Sequence, residues 1–187
     1  MLNIQQRKKL LKIARESLQS YLQTGKKLQV RETDPVLNQK TGAFVTLHKN
    51  GELRGCIGSL AGSQALYLTV LDMAIEAGTD DPRFPALNLS ELKDLQIEIS
   101  VLSALERIDS AEKLELGRHG VLVKSGIRSG VFLPQVAAET GWSKEEFLNY
   151  LCAQTAGLPA DAWKDINTEL YIFGAEVFSE EELGNLM

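Results

Sequence analysis

Asn50-Gly51 separates two short runs, Ala43 to Leu47 and Leu53 to Ile57. Both residues of this dipeptide tolerate positive φ, which favours the two-residue type I′ turn of a β-hairpin. Helical signals surround it. Leu10, Leu11, Ala14, Leu18, Tyr21 and Leu22 recur at three- and four-residue steps and predict an amphipathic helix over 3–23, with Gly25 as its stop. Leu66, Val70, Met73 and Ala77 mark one face of a second helix, and Leu68, Leu71 and Ile75 mark another, so this helix is expected to be largely buried. Ile97, Ile99 and Val101 alternate with Glu98 and Ser100 as a strand with one polar face.

Val121–Val123 and Val131–Leu133 predict a second hairpin across Gly126 and Gly130. Pro134 opens a short helix. Ser143 and Glu146 form a capping box for the helix that carries Phe147, Leu148, Leu151 and Cys152. A last strand is predicted near Tyr171–Phe178. Strands and helices mix without a regular strand–helix–strand alternation, so the predicted class is α+β.

At 187 residues the chain fits one domain, or one domain with a small appended lobe. No apolar run approaches the roughly 18 residues of a membrane span, and the first residues lack the charged-then-apolar order of a signal peptide. Cys56 and Cys152 are too few and too far apart for a secreted disulfide framework. The expected location is therefore the cytoplasm. Residues 1–31 hold eight Lys or Arg against one Glu, and the remainder holds twelve against twenty-four acids. A body so acidic repels phosphodiester backbones, which makes nucleic-acid binding unlikely. The basic helix, with Lys8, Lys12 and Arg15, is read as a solvated face or a docking surface for an acidic partner. The Glu180-Glu181-Glu182 run is read as part of a solvated acidic tail over 179–187.

Chemistry concentrates in Leu53-Arg54-Gly55-Cys56-Ile57-Gly58-Ser59-Leu60. Arg54 supplies a rigid five-donor fork for carboxylate or phosphate. A guanidinium beside Cys56 favours the thiolate, the nucleophilic form. The two-residue strand period puts Arg54 and Cys56 on one face. Gly55 and Gly58 are read as letting the backbone bend at the strand end and approach a ligand. The bland alternative for Cys56 is a small buried hydrophobe. Cys152 is assigned to core packing.

Asp81, Arg83 and Phe84 form a second group, held between Pro82 and Pro85. There Arg83 is pre-positioned for a ligand, or Asp81 and Arg83 pair with each other. His48 and His119 are the two candidates for acid–base work, and His119, in a loop before a strand, is the better placed. No zinc spacing, Walker loop, dinucleotide fingerprint or nucleophile elbow occurs. Neither a metal nor a cofactor is expected.

Leu53-Arg54-Gly55-Cys56-Ile57-Gly58, Asp81-Pro82-Arg83-Phe84-Pro85, Glu98-Ile99-Ser100-Val101-Leu102-Ser103 and Leu133-Pro134-Gln135-Val136 stand in the order found in the AMMECR domain family. In prokaryotes this family is called AmmeMemoRadiSam system protein A. The chain resembles it from roughly Leu10 to Phe178. The resemblance implies one AMMECR domain over 1–187, made of two unequal lobes with a largely antiparallel sheet flanked by helices and a cleft between the lobes. It also implies association with a MEMO-type protein and a radical-SAM enzyme. It implies no particular reaction.

The expected function is binding of a small anionic or nucleotide-like ligand in that cleft. Arg54, Gly55, Gly58, Asp81 and Arg83 would bind it, and Cys56 and His119 would be the catalytic pair. If the protein is an enzyme, the expected class is a cysteine-dependent transferase or hydrolase. The alternatives are a non-catalytic interaction module of the same system and an accessory protein of nucleic-acid or RNA modification.

Overall fold

The computed structural model describes residues 1–184. In chain order its first elements are α1 (Ile4–Thr24), β1 (Ala43–Lys49), β2 (Glu52–Ser59), α2 (Leu66–Thr79), β3 (Leu95–Leu102) and β4 (Glu106–Ile108). They are followed by β5 (Gly120–Ser125), β6 (Arg128–Phe132), α3 (Pro134–Thr140), α4 (Lys144–Tyr150), β7 (Glu169–Phe173), β8 (Ala175–Ser179) and α5 (Glu180–Gly184). The class is α+β. The strands form two four-stranded sheets, each in its own compact unit: Met1–Leu102 with Glu176–Met187, and Ser103–Ala175.

In the first unit the sheet order is β2-β1-β3-β8, with β1 antiparallel to both β2 and β3. The predicted turn forms as expected, with Asn50 at φ 54° and Gly51 at φ 84°, the positive values of a type I′ turn. Val45, Leu47, Ile97 and Ile99 alternate onto one face and pack with Leu10 and Leu18 of α1 and Val70 and Ala74 of α2. Helix α1 starts at a full capping box, Asn3 with Gln6, and ends at Gly25 in the left-handed conformation, a pair of signals that satisfies its terminal backbone groups.

Two surface expectations change here. Arg15 does not stand free for a partner. It donates to the Leu92 and Leu95 carbonyls at 2.7 and 2.8 Å and pairs with Glu180. Glu180 also accepts the Ile97 amide at 2.9 Å. Glu180 therefore ties the start of α5 to the first unit, Glu181 and Glu182 stay exposed as expected, and residues 185–187 lie outside the described residues. Long charged side chains can carry such contacts because they end in several donors or acceptors; their type alone does not reveal it.

In the second unit the sheet order is β4-β7-β5-β6. Its core joins Val121, Val123, Leu170 and Ile172 to Phe147, Leu148, Leu151 and Cys152, so Cys152 is core, as read from the sequence. Ser143 and Glu146 form the expected capping box. Helix α4 then widens into a π-helical turn, Leu151–Thr155. The single strand expected near Tyr171–Phe178 is two strands parted at Gly174. β7 belongs to the second sheet and β8 to the first. An alternating apolar pattern marks strand character but not which sheet receives each half.

Candidate functional site

β2 is an edge strand, and the loop after α2 caps its outer side at Cys56. Asp81 Oδ2 accepts the Cys56 amide at 2.8 Å, and Arg83 Nη2 donates to the Cys56 carbonyl at 3.3 Å. Asp81 and Arg83 also hold each other: Nη2 meets Oδ2 at 2.7 Å, Nε meets Oδ1 at 3.0 Å, and the Arg83 amide meets Oδ1 at 3.1 Å. The guanidinium beside Asp81, aided by the two amides, keeps this buried carboxyl well below the usual carboxylate range, and Asp81 raises Arg83 in turn. A strand edge left open is a template for foreign pairing. Here the pair closes it, while 55% of the Arg83 side chain stays exposed.

Arg54 is placed by an irregularity. The register passes from Leu47↔Gly55 to His48↔Leu53, so Arg54 is the extra residue of a β-bulge, which re-aims its side chain. The two-residue alternation expected to carry Arg54 and Cys56 on one face is interrupted at that point. Arg54 instead donates through Nε and Nη2 to Glu91, both at 3.2 Å, and its side chain is only 13% exposed. Glu91 sits in the short 3-10 turn Leu89–Asp94 and also binds Lys49 at 2.9 Å. Burial pushes the Glu91 carboxyl up, but the hydrogen bonds from Arg54 and Lys49 outweigh it and hold it down at about 2. Phe84 lies beside both guanidinium groups, 5.5 Å from Arg83 and 6.0 Å from Arg54, within reach of a cation–π contact.

Cys56 is a free, partly buried thiol. Thr46, its partner across β1, brings a hydroxyl to 3.3 Å from Sγ, and Glu98 is the next residue in the same row on β3. Burial pushes the Cys56 thiol up. The Thr46 hydrogen bond and the Arg83 charge pull it down without overcoming burial, and Asp81 and Glu98 oppose them. Cys56 therefore stands as a neutral thiol near pH 7, and the cation acting on it is Arg83. Arg54, expected to have that role, is neutralised by Glu91.

The two glycines do not bend the strand. β2 runs through both of them to Ser59. A Cβ at Gly55 would lie 2.0 Å from the carbonyl oxygen of Ala77, and one at Gly58 would lie 2.1 Å from the Phe44 ring. Gly55 thus lets α2 approach β2, and Gly58 makes room for an aromatic ring.

His119 belongs to the second unit, just before β5. Its Nδ1 accepts the Glu115 amide at 3.2 Å, which leaves Nε2 to carry the proton of the neutral ring. It lines a cavity of about 250 Å³ with Ser103, Glu106, Arg118 and Phe173. By unit, Arg54, Gly55, Cys56, Gly58, Asp81 and Arg83 belong to the first and His119 to the second. Thr46 and Glu91 were missed. Asn88 and Glu91, three apart, carry a capping-box signal for a helical turn, but nothing in that signal names Arg54 as the partner. Among the described residues no group of three or more His, Cys, Asp or Glu is placed to hold a metal, and no helix is long and apolar enough to cross a membrane.

The AMMECR1 family model matches residues 11–178. The chain belongs to the AMMECR1 family. The match spans both units and contains every residue of the Cys56 corner as well as His119. The chain is 43% identical to Protein MK0488 of Methanopyrus kandleri over 182 residues, covering 92% of this chain and 87% of that one. A protein of Methanococcoides burtonii is 38% identical over 187 residues, covering 97% and 92%. The crystal structure of Uncharacterized Protein PH0010 from Pyrococcus horikoshii superposes with a TM-score of 0.88 at 42% identity, covering 92% of this chain and 90% of that one. Family membership fixes the fold and leaves the reaction to be argued from the site.

Proposed function

We propose that this AMMECR1-family protein binds a small anionic or nucleotide-like molecule at the corner of its first unit where Arg83, Phe84 and Arg54 meet. The observation that carries this reading is the Phe84 ring 5.5 and 6.0 Å from two guanidinium groups, each oriented by its own carboxylate. Groups already held in place lose little freedom when a ligand arrives. Lys49, Arg54 and Arg83 stand with Asp81, Glu91 and, in the row beside Cys56, Glu98, so the charges of the corner balance and its pull on an anion comes from exposure, not net charge. The half-exposed Arg83 is the donor that meets the ligand, and Phe84 offers a stacking surface.

Cys56 enters as a neutral thiol. In an acyl or phosphoryl transfer, its sulfur would attack the ligand's electrophilic atom as a base removes the thiol proton, and the ligand's leaving group would depart. The ligand's own anionic group is the candidate for that base. Action inside the cell, and association with a MEMO-type protein and a radical-SAM enzyme, belong to the same proposal and are supported by the sequence resemblance.

Calorimetric titration of the full chain with AMP and with pyrophosphate tests the reading. Losing a charge-assisted hydrogen bond costs about 1.5–3 kcal/mol, so Arg83→Gln should weaken both probes by roughly 10- to 100-fold. Phe84→Ala should weaken AMP alone, because stacking on a base is worth about 1–3 kcal/mol. Wild-type protein that ignores both probes at about 10 mM, or Arg83→Gln that binds them like wild type, would overturn it.

A further inference from the structure

The register of the first sheet sets a carboxylate in the same row as the Cys56 thiol. Pairing runs from Cys56 on β2 to Thr46 on β1, and from Thr46 to Glu98 on β3. Residues directly opposite on antiparallel strands share a face, with Cβ atoms about 4.5–5.5 Å apart. Val45, Leu47, Ile97 and Ile99, which flank Thr46 and Glu98 along their strands, belong to the core, and Ile57 beside Cys56 packs against it. Cys56, Thr46 and Glu98 therefore stand side by side on the opposite face of the sheet.

Two interactions join the row. The Thr46 hydroxyl lies 3.3 Å from Cys56 Sγ, and the Glu98 carboxylate is near enough to the sulfur to raise the thiol. Thr46 is only 9% exposed, so its hydroxyl finds its partners within the protein. A hydroxyl donates one hydrogen while accepting another, and its own hydrogen turns to suit. Such a group can pass a proton from one neighbour to the next.

The charged groups that act on the thiol are Arg83, Asp81 and Glu98. Arg83 stays protonated and takes no proton. Both oxygens of Asp81 are engaged by Arg83, and Oδ2 also accepts the Cys56 amide. These bonds hold the Asp81 carboxyl well below the usual range, which makes it a poor proton acceptor. We infer that Glu98 is the base for Cys56 and that Thr46 carries the proton between them. This role rests on Cys56 acting as a nucleophile, and it serves ligands whose own anionic group does not reach the sulfur. As Sγ bonds to an acyl carbon, the thiol proton passes to Thr46 Oγ1 and the Thr46 proton passes to Glu98. The bond from the acyl carbon to the leaving group breaks, and its electron pair departs with that group. Glu98 then releases the proton to water.

The sign of the Glu98 effect tests this. A carboxylate that only repels the thiolate holds Cys56 back, so its removal would speed the reaction; removal of a base slows it. The probe is p-nitrophenyl acetate, a neutral ester with no anionic group of its own. Peptide mass spectrometry on the full chain at pH 7 reads acetylation of Cys56, with the buried Cys152 as internal control. Glu98→Gln should slow acetylation roughly 100-fold, the lower end for a positioned base. Thr46→Val, which keeps the shape and loses the hydroxyl, should slow it as much, and Thr46→Ser should restore it. Urea midpoints accompany each rate, and the two positions decide independently should one variant fail to fold. Glu98→Gln or Thr46→Val protein that acetylates Cys56 as fast as wild type or faster would overturn the role, as would a wild-type Cys56 left unmodified. The AMP and pyrophosphate titrations do not involve the thiol, so failure of the ligand reading shows there and failure of the base shows here.

Discussion

Gly55→Ala tests the packing that positions Cys56. The new Cβ would sit 2.0 Å from the Ala77 carbonyl oxygen, and ordinary contact begins at 3.4 Å, so strand and helix must part by about 1.4 Å. The obstructing atom is main chain of α2, which no rotamer change can move aside. Forcing one extra carbon into a packed core costs about 1–3 kcal/mol, and an immovable neighbour puts this site at the upper end, about 3 kcal/mol. Gly58→Ala meets the Phe44 ring at 2.1 Å, and a ring can turn, so about 1–2 kcal/mol is expected there. Gly184→Ala meets nothing within 4 Å and should stay within about 0.5 kcal/mol of wild type. Urea unfolding should be followed by far-ultraviolet circular dichroism, because Trp142 and Trp163 both lie in the second unit and their fluorescence reports there. A Gly55→Ala midpoint indistinguishable from that of Gly184→Ala would refute the argument that Gly55 exists for close approach.

The Cys56 thiol should alkylate slowly at pH 7 and react appreciably only above about pH 8.5, the value of a free thiol, because burial pushes it up. Arg83→Gln should move the pH profile higher and Arg54→Ala should leave it in place; iodoacetamide labelling read by mass spectrometry gives the answer, and the reverse pattern would reinstate Arg54 as the governing cation. Glu91 should contribute to acid stability. Its folded value of about 2 lies below an unfolded value of about 4.3, so its stabilisation is complete above about pH 4.3 and fades as pH falls towards 2. Glu91→Gln should flatten the stability profile across that window, and an unchanged slope in acid urea titrations would exclude Glu91 as its source.

The local elements were legible because each has a short-range cause. Asn50-Gly51 dictates its turn, Asn3 with Gln6 and Gly25 bracket α1, and Ser143 with Glu146 starts α4. The α+β class followed from their order. The split at Gly174 did not, because pattern alone does not say which sheet takes each half of an apolar run.

The clustering of the candidate residues was legible in the sequence; the contacts among them were not. Counting outward from a two-residue turn pairs Lys49 with Glu52 and His48 with Leu53, then Leu47 with Arg54 and Thr46 with Gly55. The bulge at Arg54 shifts the remainder by one, so Thr46 faces Cys56 instead. One unpredicted residue therefore gave Cys56 its hydroxyl neighbour and sent Arg54 away to Glu91. A bulge depends on what the strand must fit, here α2 against Gly55 and the Leu89–Asp94 turn against Arg54, and both lie far away in sequence. The sequence showed a cation, a thiol and glycines close together. What joins them is Asp81, which binds the Cys56 amide and the Arg83 guanidinium through one carboxylate. A ligand that drew Arg83 outward would take its donor from the Cys56 carbonyl and its charge from beside the thiol, so occupancy at Arg83 would be felt at Cys56.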